Sequence, residues 1–512
     1  MHDPVSNIRL SRRNLLIATT VLTSITAFGG VQAQSASPVV TSKHGKLRGL
    51  TEKGISIWRG VRYAAPPTGI NRWRPPQPLA AWQDIRDATS FGPACLQPVA
   101  RNEPERSLKD KPQSEDCLTL NIWAPQDAQS LPVMVWIHGG SFRFGTGSLD
   151  LYHGDELAKQ GVIVVTLNYR LGLFGTFSHH ALRDDGLTDV NFGLLDQIAA
   201  LQWVRDNIAA FGGDPSNVTL FGESAGGVSV SYLMASKAAR GLFHRAIVQS
   251  GGLAVPLNDR QQGDAIGRRI AEDLNLPDAT AADLRALPAE ALRDAAYSAA
   301  DIMPQRDGHI IDRNLTDAFE AGDAGDMPLL IGWNTAEAGF FGPRYWKSIE
   351  GDLGPDRWQE FKALCVGWGR ESDDAASEQI ASEWFAGSVS RAMALSHRGP
   401  VHAYRFGWVP ERERSTTRGA IHTAEIPYVF GHVATSADSD DASRAVSRDL
   451  SRRWAEFAKN GEPKSPDGPQ WRQLTSAAKT FLRVGLTGTE IGDDPTAALD
   501  EAIRSAKLPP RP

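Results

Sequence analysis

The chain has little of what a metal or redox protein needs. Its 512 residues hold three cysteines and twelve histidines, with no Cys-x-x-Cys and no His-Glu-x-x-His, so the usual zinc and dithiol spacings are missing and no metal is expected. The adjacent His179 and His180 fall in a polar loop, where neighbouring side chains diverge, and read as surface histidines. Positive charge is also short: the formal balance is −6, which argues against nucleic acid or an anionic membrane as the main partner. There is no low-complexity tract and no repeat period, so neither disorder nor a solenoid is expected. No stretch is long and apolar enough to span a bilayer.

What is present is an ordinary globular composition, 41% hydrophobic and 22% charged, enough to build a sizeable core. The N-terminal "SRRNLLIATTVLTSITAFGGVQAQ" has a basic start, a short apolar stretch rich in Thr and Ser, and small residues at Val31-Gln32-Ala33. It reads as an export signal over residues 1–33. Arg12-Arg13 give it a twin-arginine look, a general secretory signal being the alternative, and a periplasmic or secreted bacterial protein is expected. Removing that segment, which carries three arginines against Asp3, takes the net charge from −6 to −8. In an oxidising destination Cys95 and Cys117 can close a short loop and leave Cys365 unpaired. Three reduced, buried thiols are the alternative if export fails.

Short β-branched runs alternate with helical patterns along residues 34–512, which are expected to form a single α/β domain. "LPVMVWIHGG", "GVIVVTLNYR", "SNVTLFGES", "HRAIVQSGG", "MPLLIGWN", "VHAYRFGW" and "KTFLRVG" read as strands of a large, mostly parallel twisted sheet with helices on both faces. "NFGLLDQIAALQWVRDNIAAFGG" carries apolar residues at helical spacing and stops at Gly212-Gly213. The Ala-rich stretch 259–300 breaks the strand rhythm and reads as a helical excursion that shapes a pocket wall.

In open α/β sheets ligands bind beyond the carboxyl ends of the strands. There "GDPSNVTLFGESAGG" places Ser224 between Gly222 and Gly226, at a strand-to-helix junction. This pattern fits a nucleophile elbow, in which small neighbours permit a turn tight enough to push the hydroxyl outward. A plain turn serine fits the same letters. "WIHGGSF" follows another strand with Gly139, Gly140 and Ser141, whose amides, with that of Ala225, can meet an oxyanion. Glu337 follows the strand "PLLIGWN"; its rival Asp307 precedes that strand. His309, His402 and His432 compete with His422 as a base.

Several separate blocks carry a resemblance: "GVRYAAPPTGINRWRPPQP", "SEDCLTLNIWAP", "VMVWIHGGSFRFG", "LNYRLGLFG", "LFGESAGG", "AIVQSGG", "GWNTAEAGFF" and "HTAEIPYVFG". Over nearly the whole mature length the chain resembles the type B carboxylesterases, an α/β-hydrolase family that includes para-nitrobenzyl-type esterases and cholinesterases. The resemblance implies Ser224, Glu337 and His422 as a catalytic triad, in the order Ser, Glu, His that the fold uses. It implies oxyanion donors at Gly140, Ser141 and Ala225 beside Gly139, and a disulfide between Cys95 and Cys117. Ser250, Glu223 and Glu425 are implied supports of the triad, each of which could instead be a satisfied buried polar group. Two departures stand out: Ser141 where many members have a third glycine, and Arg62 where a proline is usual.

A serine carboxylic-ester hydrolase is therefore expected, needing no cofactor. Its substrate would be an aromatic, short-to-medium-chain or polycarboxylate ester, and a monomer is expected. A silent cholinesterase-like binding module, a lipase and a carbamate hydrolase are the alternatives. Phe142, Phe144, Trp333, Phe340 and Phe341 lie near the site elements in sequence and can wall a pocket, although core packing explains some of them equally. Arg143 and Arg344 could hold a substrate carboxylate or be surface arginines.

Overall fold

Period-two burial builds the centre of the molecule. In the computed structural model, which describes residues 37–98, 108, 111–186, 188–252, 257–365, 373–475 and 479–506, eleven strands form one sheet. In chain order they are β1 (Leu50–Glu52), β2 (Ile55–Arg62), β3 (Thr119–Pro125), β4 (Leu131–Ile137), β5 (Ile163–Leu167) and β6 (Gly213–Glu223). Then follow β7 (Arg245–Gln249), β8 (Leu329–Asn334), β9 (Val401–Phe406), β10 (Thr480–Gly485) and β11 (Gly488–Asp493). Their spatial order is β11-β10-β9-β8-β7-β6-β4-β5-β3-β2-β1. The middle, from β5 through β4 and β6 to β10, is parallel; β1, β2, β3 and β11 pair antiparallel at the two ends.

Along β4, Val133, Val135 and Ile137 enter one core while Met134 and Trp136 enter the other. Side chains on a strand alternate faces, so a strand apolar at every position must be covered on both. One face is covered by α1 (Phe192–Asn207) and α2 (Ala225–Ala235), through Leu194, Leu201, Val228 and Leu233. On the other, Leu450, Trp454 and Phe457 of Asp441–Asn460 pack with Trp136 and Phe221. All seven strands anticipated from β-branched runs are present. The antiparallel strands β1, β2, β3 and β11 lie outside those seven runs.

The chain from α1 to β6 turns at Gly212, whose φ of 84° is left-handed and therefore suits glycine. Residues 259–300 carry three α-helices joined by turns. They begin with α3 (Arg260–Asp273), where Asp259 accepts from the Gln262 N–H at 2.9 Å and Gln262 accepts from the Asp259 N–H at 2.8 Å, a reciprocal cap. A second group of helices, over residues 343–364 and 373–396, lies between β8 and β9. Cys95 and Cys117 form a disulfide and Cys365 is free and half-buried. Arg62 ends β2 with its guanidinium forked onto Asp116, at 2.5 and 2.6 Å, beside Cys117. The chain from Ser37 on forms one compact unit; the signal segment 1–33 lies outside the described residues. No helix among the described residues is long and apolar enough to cross a membrane.

Two histidines are buried in the sheet region. Desolvation lowers the pKa of His138 to about 4, and that of His402 likewise to about 4. A histidine near 6.5 when unfolded and near 4 when folded binds more protons in the unfolded chain below pH 6.5, so its stability contribution is present above that pH and is lost as pH falls toward 4. Denaturant titrations are expected to show stability falling across that window by roughly 3 kcal/mol per histidine. A His402→Leu variant should show a shallower fall.

Candidate active site

The site is assembled from three strand ends. β6 runs into Ser224, whose φ of 56° and ψ of −125° lie outside the regions open to L-residues, a conformation costing roughly 1–3 kcal/mol. Its neighbours make the turn possible. A Cβ on Gly226 would stand 2.0 Å from the carbonyl oxygen of Ile137, and one on Gly222 would stand 2.7 Å from Gly226 itself. The elbow is thus pressed against the end of β4. The Ser224 N–H is held by the carbonyl of Gln249 at 3.0 Å, and Ala225 opens α2, leaving its N–H among the free donors of a helix start.

β4 delivers the second element. Beyond it Gly140, Ser141 and Phe142 all have positive φ, at 109°, 55° and 55°. Gly140 accepts from the N–H groups of Arg143 and Phe144 at 3.0 and 2.8 Å. A Cβ on Gly139 would stand 3.0 Å from the Ser224 Cβ, so this turn lies directly against the serine. The departure at Ser141 is accommodated because its side chain is exposed.

β8 delivers the acid candidate. Glu337 is fully buried, and each of its oxygens is engaged. Oε1 accepts from the Asn334 N–H at 2.7 Å and the Ser250 hydroxyl at 2.6 Å, and Oε2 lies 2.6 Å from His422 Nδ1. His422 comes from the segment after β9, tied down where the Ala336 N–H donates to Ala420 and Asn334 Nδ2 donates to Ile421 O, both at 2.8 Å. The other ring nitrogen, Nε2, faces the elbow and lies 3.1 Å from Oε1 of Glu223.

Glu425 lies behind this pair. It accepts from Gln249 Nε2 at 2.9 Å and from Asn334 Nδ2 at 2.7 Å, so Asn334 ties both glutamates together. Burial, reinforced by the nearby Glu337 charge, pushes its pKa up. Of the rivals, Asp307 instead caps its own loop by accepting from the N–H groups of His309, Ile310 and Ile311. His309 lies on Asp189, His402 on Trp471 and His432 on Phe430. None of them joins this constellation.

Aromatic rings stand against His422: Phe340 at 5.7 Å, Phe341 at 6.1 Å and Phe385 at 5.2 Å between centroids. Phe385 was not anticipated. It lies on a single π turn, Glu383–Gly387, between two α-helices, and a π turn bulges one residue out of the regular helical path. A broken helical period at "EWFAG" is the signal that could have found it. Trp333, by contrast, is a core residue: its indole donates to Glu383 at 3.0 Å and carries Arg405 over its face. Phe142 is also buried in the core, and Phe144 is half-buried. Arg143 stacks on Phe144 and on Tyr297, at 5.3 and 4.9 Å, so the excursion does reach the oxyanion turn. Arg344 is exposed. Phe385→Ala is expected to raise KM for an aryl ester by roughly tenfold, through about 1–2 kcal/mol of lost ring contact, and to leave kcat for an acetate ester within a factor of about three.

A sequence model of the carboxylesterase family matches residues 36–364 and 369–501. The para-nitrobenzyl esterase of Bacillus subtilis (strain 168) is 38% identical over 461 residues, covering 85% of this chain and 92% of that protein. A fumonisin B1 esterase from Sphingopyxis macrogoltabida is 33% identical, covering 96% of each. A solved PNB esterase structure superposes with a TM-score of 0.80 at 35% identity, covering 91% of this chain and 99% of that one.

Proposed function

From the premise that this chain belongs to the carboxylesterase family and hydrolyses carboxylic esters, we propose that it does so through an acyl-enzyme on Ser224. The observation that supports this most directly is one histidine with Glu337 on Nδ1 and the strained elbow on its Nε2 side. In this scheme the Nδ1 proton is held by Glu337, leaving Nε2 to accept the Ser224 proton as Oγ attacks the ester carbonyl. The N–H groups of Gly140, Ser141 and Ala225 receive the oxyanion, with Gly139 giving them room. His422 then protonates the departing alcohol, and water repeats the cycle on the acyl-enzyme.

Glu337, Ser250, Glu223 and Glu425 act through His422: they orient the ring and stabilise its cation. The aromatic faces of Phe340, Phe341 and Phe385 support an aryl ester as the substrate class, and the name of the para-nitrobenzyl relative agrees. We place the enzyme outside the bacterial cytoplasm, a location supported by the signal-like residues 1–33 and by the Cys95–Cys117 disulfide. An organophosphonate ester is expected to label Ser224 stoichiometrically, as read by peptide mass, and 4-nitrophenyl acetate to give an initial burst of one nitrophenol per chain. Labelling at another residue would overturn the assignment.

A further inference from the structure

A cavity of about 1010 Å3 lies beside the loops that carry Glu337 and His422, and Ser224 does not line it. Its floor is the carboxyl edge of the sheet. Thr335, Gly407 and Leu486 are the first residues beyond β8, β9 and β10; the Thr335 N–H donates to Phe406 at 2.9 Å and the Gly407 N–H to Val484 at 2.7 Å. Crevices beyond the ends of neighbouring parallel strands are where open α/β sheets hold ligands. Trp346 and Ile421 add apolar wall to that of Leu486.

The rim carries two arginines, Arg414 and Arg418, and one carboxylate, Glu378. Arg414 is fixed by its own surroundings: Nε donates to Val409 O at 3.1 Å, Nη2 reaches Leu486 O at 3.5 Å, and the guanidinium lies 5.5 Å from the Trp408 ring centre. Among the described residues no carboxylate pairs with it within 4 Å, and the Asp440 charge acts on it from farther away. Arg418 lies beside it and is paired with Glu378 at 3.3 Å. In a chain of net charge −6, a guanidinium held in place by two backbone carbonyls and an indole face, above an apolar floor, is matched to an anionic head on an apolar tail.

We propose that this cavity is a second ligand site, separate from the Ser224 cleft, for an amphipathic anion with a carboxylate or phosphate head on Arg414 and its tail against Trp346 and Ile421. Ile421 immediately precedes His422, and Thr335 accepts from the Ala420 N–H at 3.2 Å, so a ligand seated here touches both loops that carry the acid and the base. The site is independent of which serine is the nucleophile.

The test is calorimetric titration of the enzyme after its ester-cleaving cleft has been blocked with an organophosphonate. Decanoate is expected to bind the blocked enzyme at one per chain with a Kd below about 1 mM, and Arg414→Glu to weaken it at least about tenfold. Retained ester hydrolysis by the unblocked variant would show that it is folded. Decanol should bind at least about tenfold more weakly than decanoate. Decyl phosphate identifies the head: tighter binding than decanoate assigns phosphate, weaker binding carboxylate. No saturable binding to the blocked enzyme, binding indifferent to Arg414→Glu, or decanol binding as well as decanoate would each overturn the proposal.

Discussion

Ser224→Ala is expected to hydrolyse 4-nitrophenyl acetate at least about 10⁴-fold more slowly in kcat than the unaltered enzyme. Its folded state should be no less stable. The hydroxyl is the group that would bond to the acyl carbon, and among the described contacts it supports nothing else in the fold; the serine is held by its backbone, through Gln249 and the start of α2. Ser224→Gly sharpens the test. Glycine adopts a φ of 56° without the Cβ clash that serine meets there, so this variant should be inactive and yet more stable, by about 1 kcal/mol in a denaturant titration. Loss of activity together with a gain in stability is the signature of strain maintained for chemistry. Undiminished hydrolysis by either variant would remove Ser224 from the mechanism.

Glu337→Gln should cost about as much, roughly 10⁴-fold in kcat, with KM little changed. The hydrogen-bond pattern explains why. Two donors, the Asn334 N–H and the Ser250 hydroxyl, point at Oε1, so an amide must turn its carbonyl oxygen toward them. Its NH2 then faces His422 Nδ1, where Oε2 now stands at 2.6 Å. Nδ1 is made to accept, the ring proton moves to Nε2, and that nitrogen can no longer take a proton from serine. Glu223→Gln is the control, because Glu223 lies 3.1 Å from Nε2. It retains the tautomer and should lower kcat by no more than about a hundredfold, through lost stabilisation of the cation. A reversal of these two magnitudes would make Glu223 the orienting acid.

Much of the site could be read along the chain because each part is local. A strained serine needs small residues on both sides, and Gly222 and Gly226 supply them within five positions. An acid placed by a strand end follows a recognisable apolar run, as Glu337 follows "PLLIGWN". The turn proposed to receive the oxyanion is marked by two glycines after another such run. Supports that depend on distant partners were less legible. Asn334 acquires its role by donating to the Ile421 carbonyl and to Glu425, eighty-seven and ninety-one positions on, and no spacing rule links them. Trp333 illustrates the opposite failure. It lies four residues before Glu337 and so resembles a pocket residue in sequence, but alternation along β8 turns its ring into the core toward Arg405.

By itself the sequence determined the parallel strands, the helix of residues 192–207, the elbow and the identity of the acid and base candidates, because periodicity, glycine placement and chain order are properties of short segments. Tertiary structure alone decided which histidine meets which glutamate, which aromatic rings face it, and where a cavity opens. Those are matters of how strand ends and helical insertions from separate parts of the chain come together. Phe385 reaches His422 only because a π turn aims it there, and Arg414 is held at the cavity rim only because the carbonyls of Val409 and Leu486, from separate segments, meet around it.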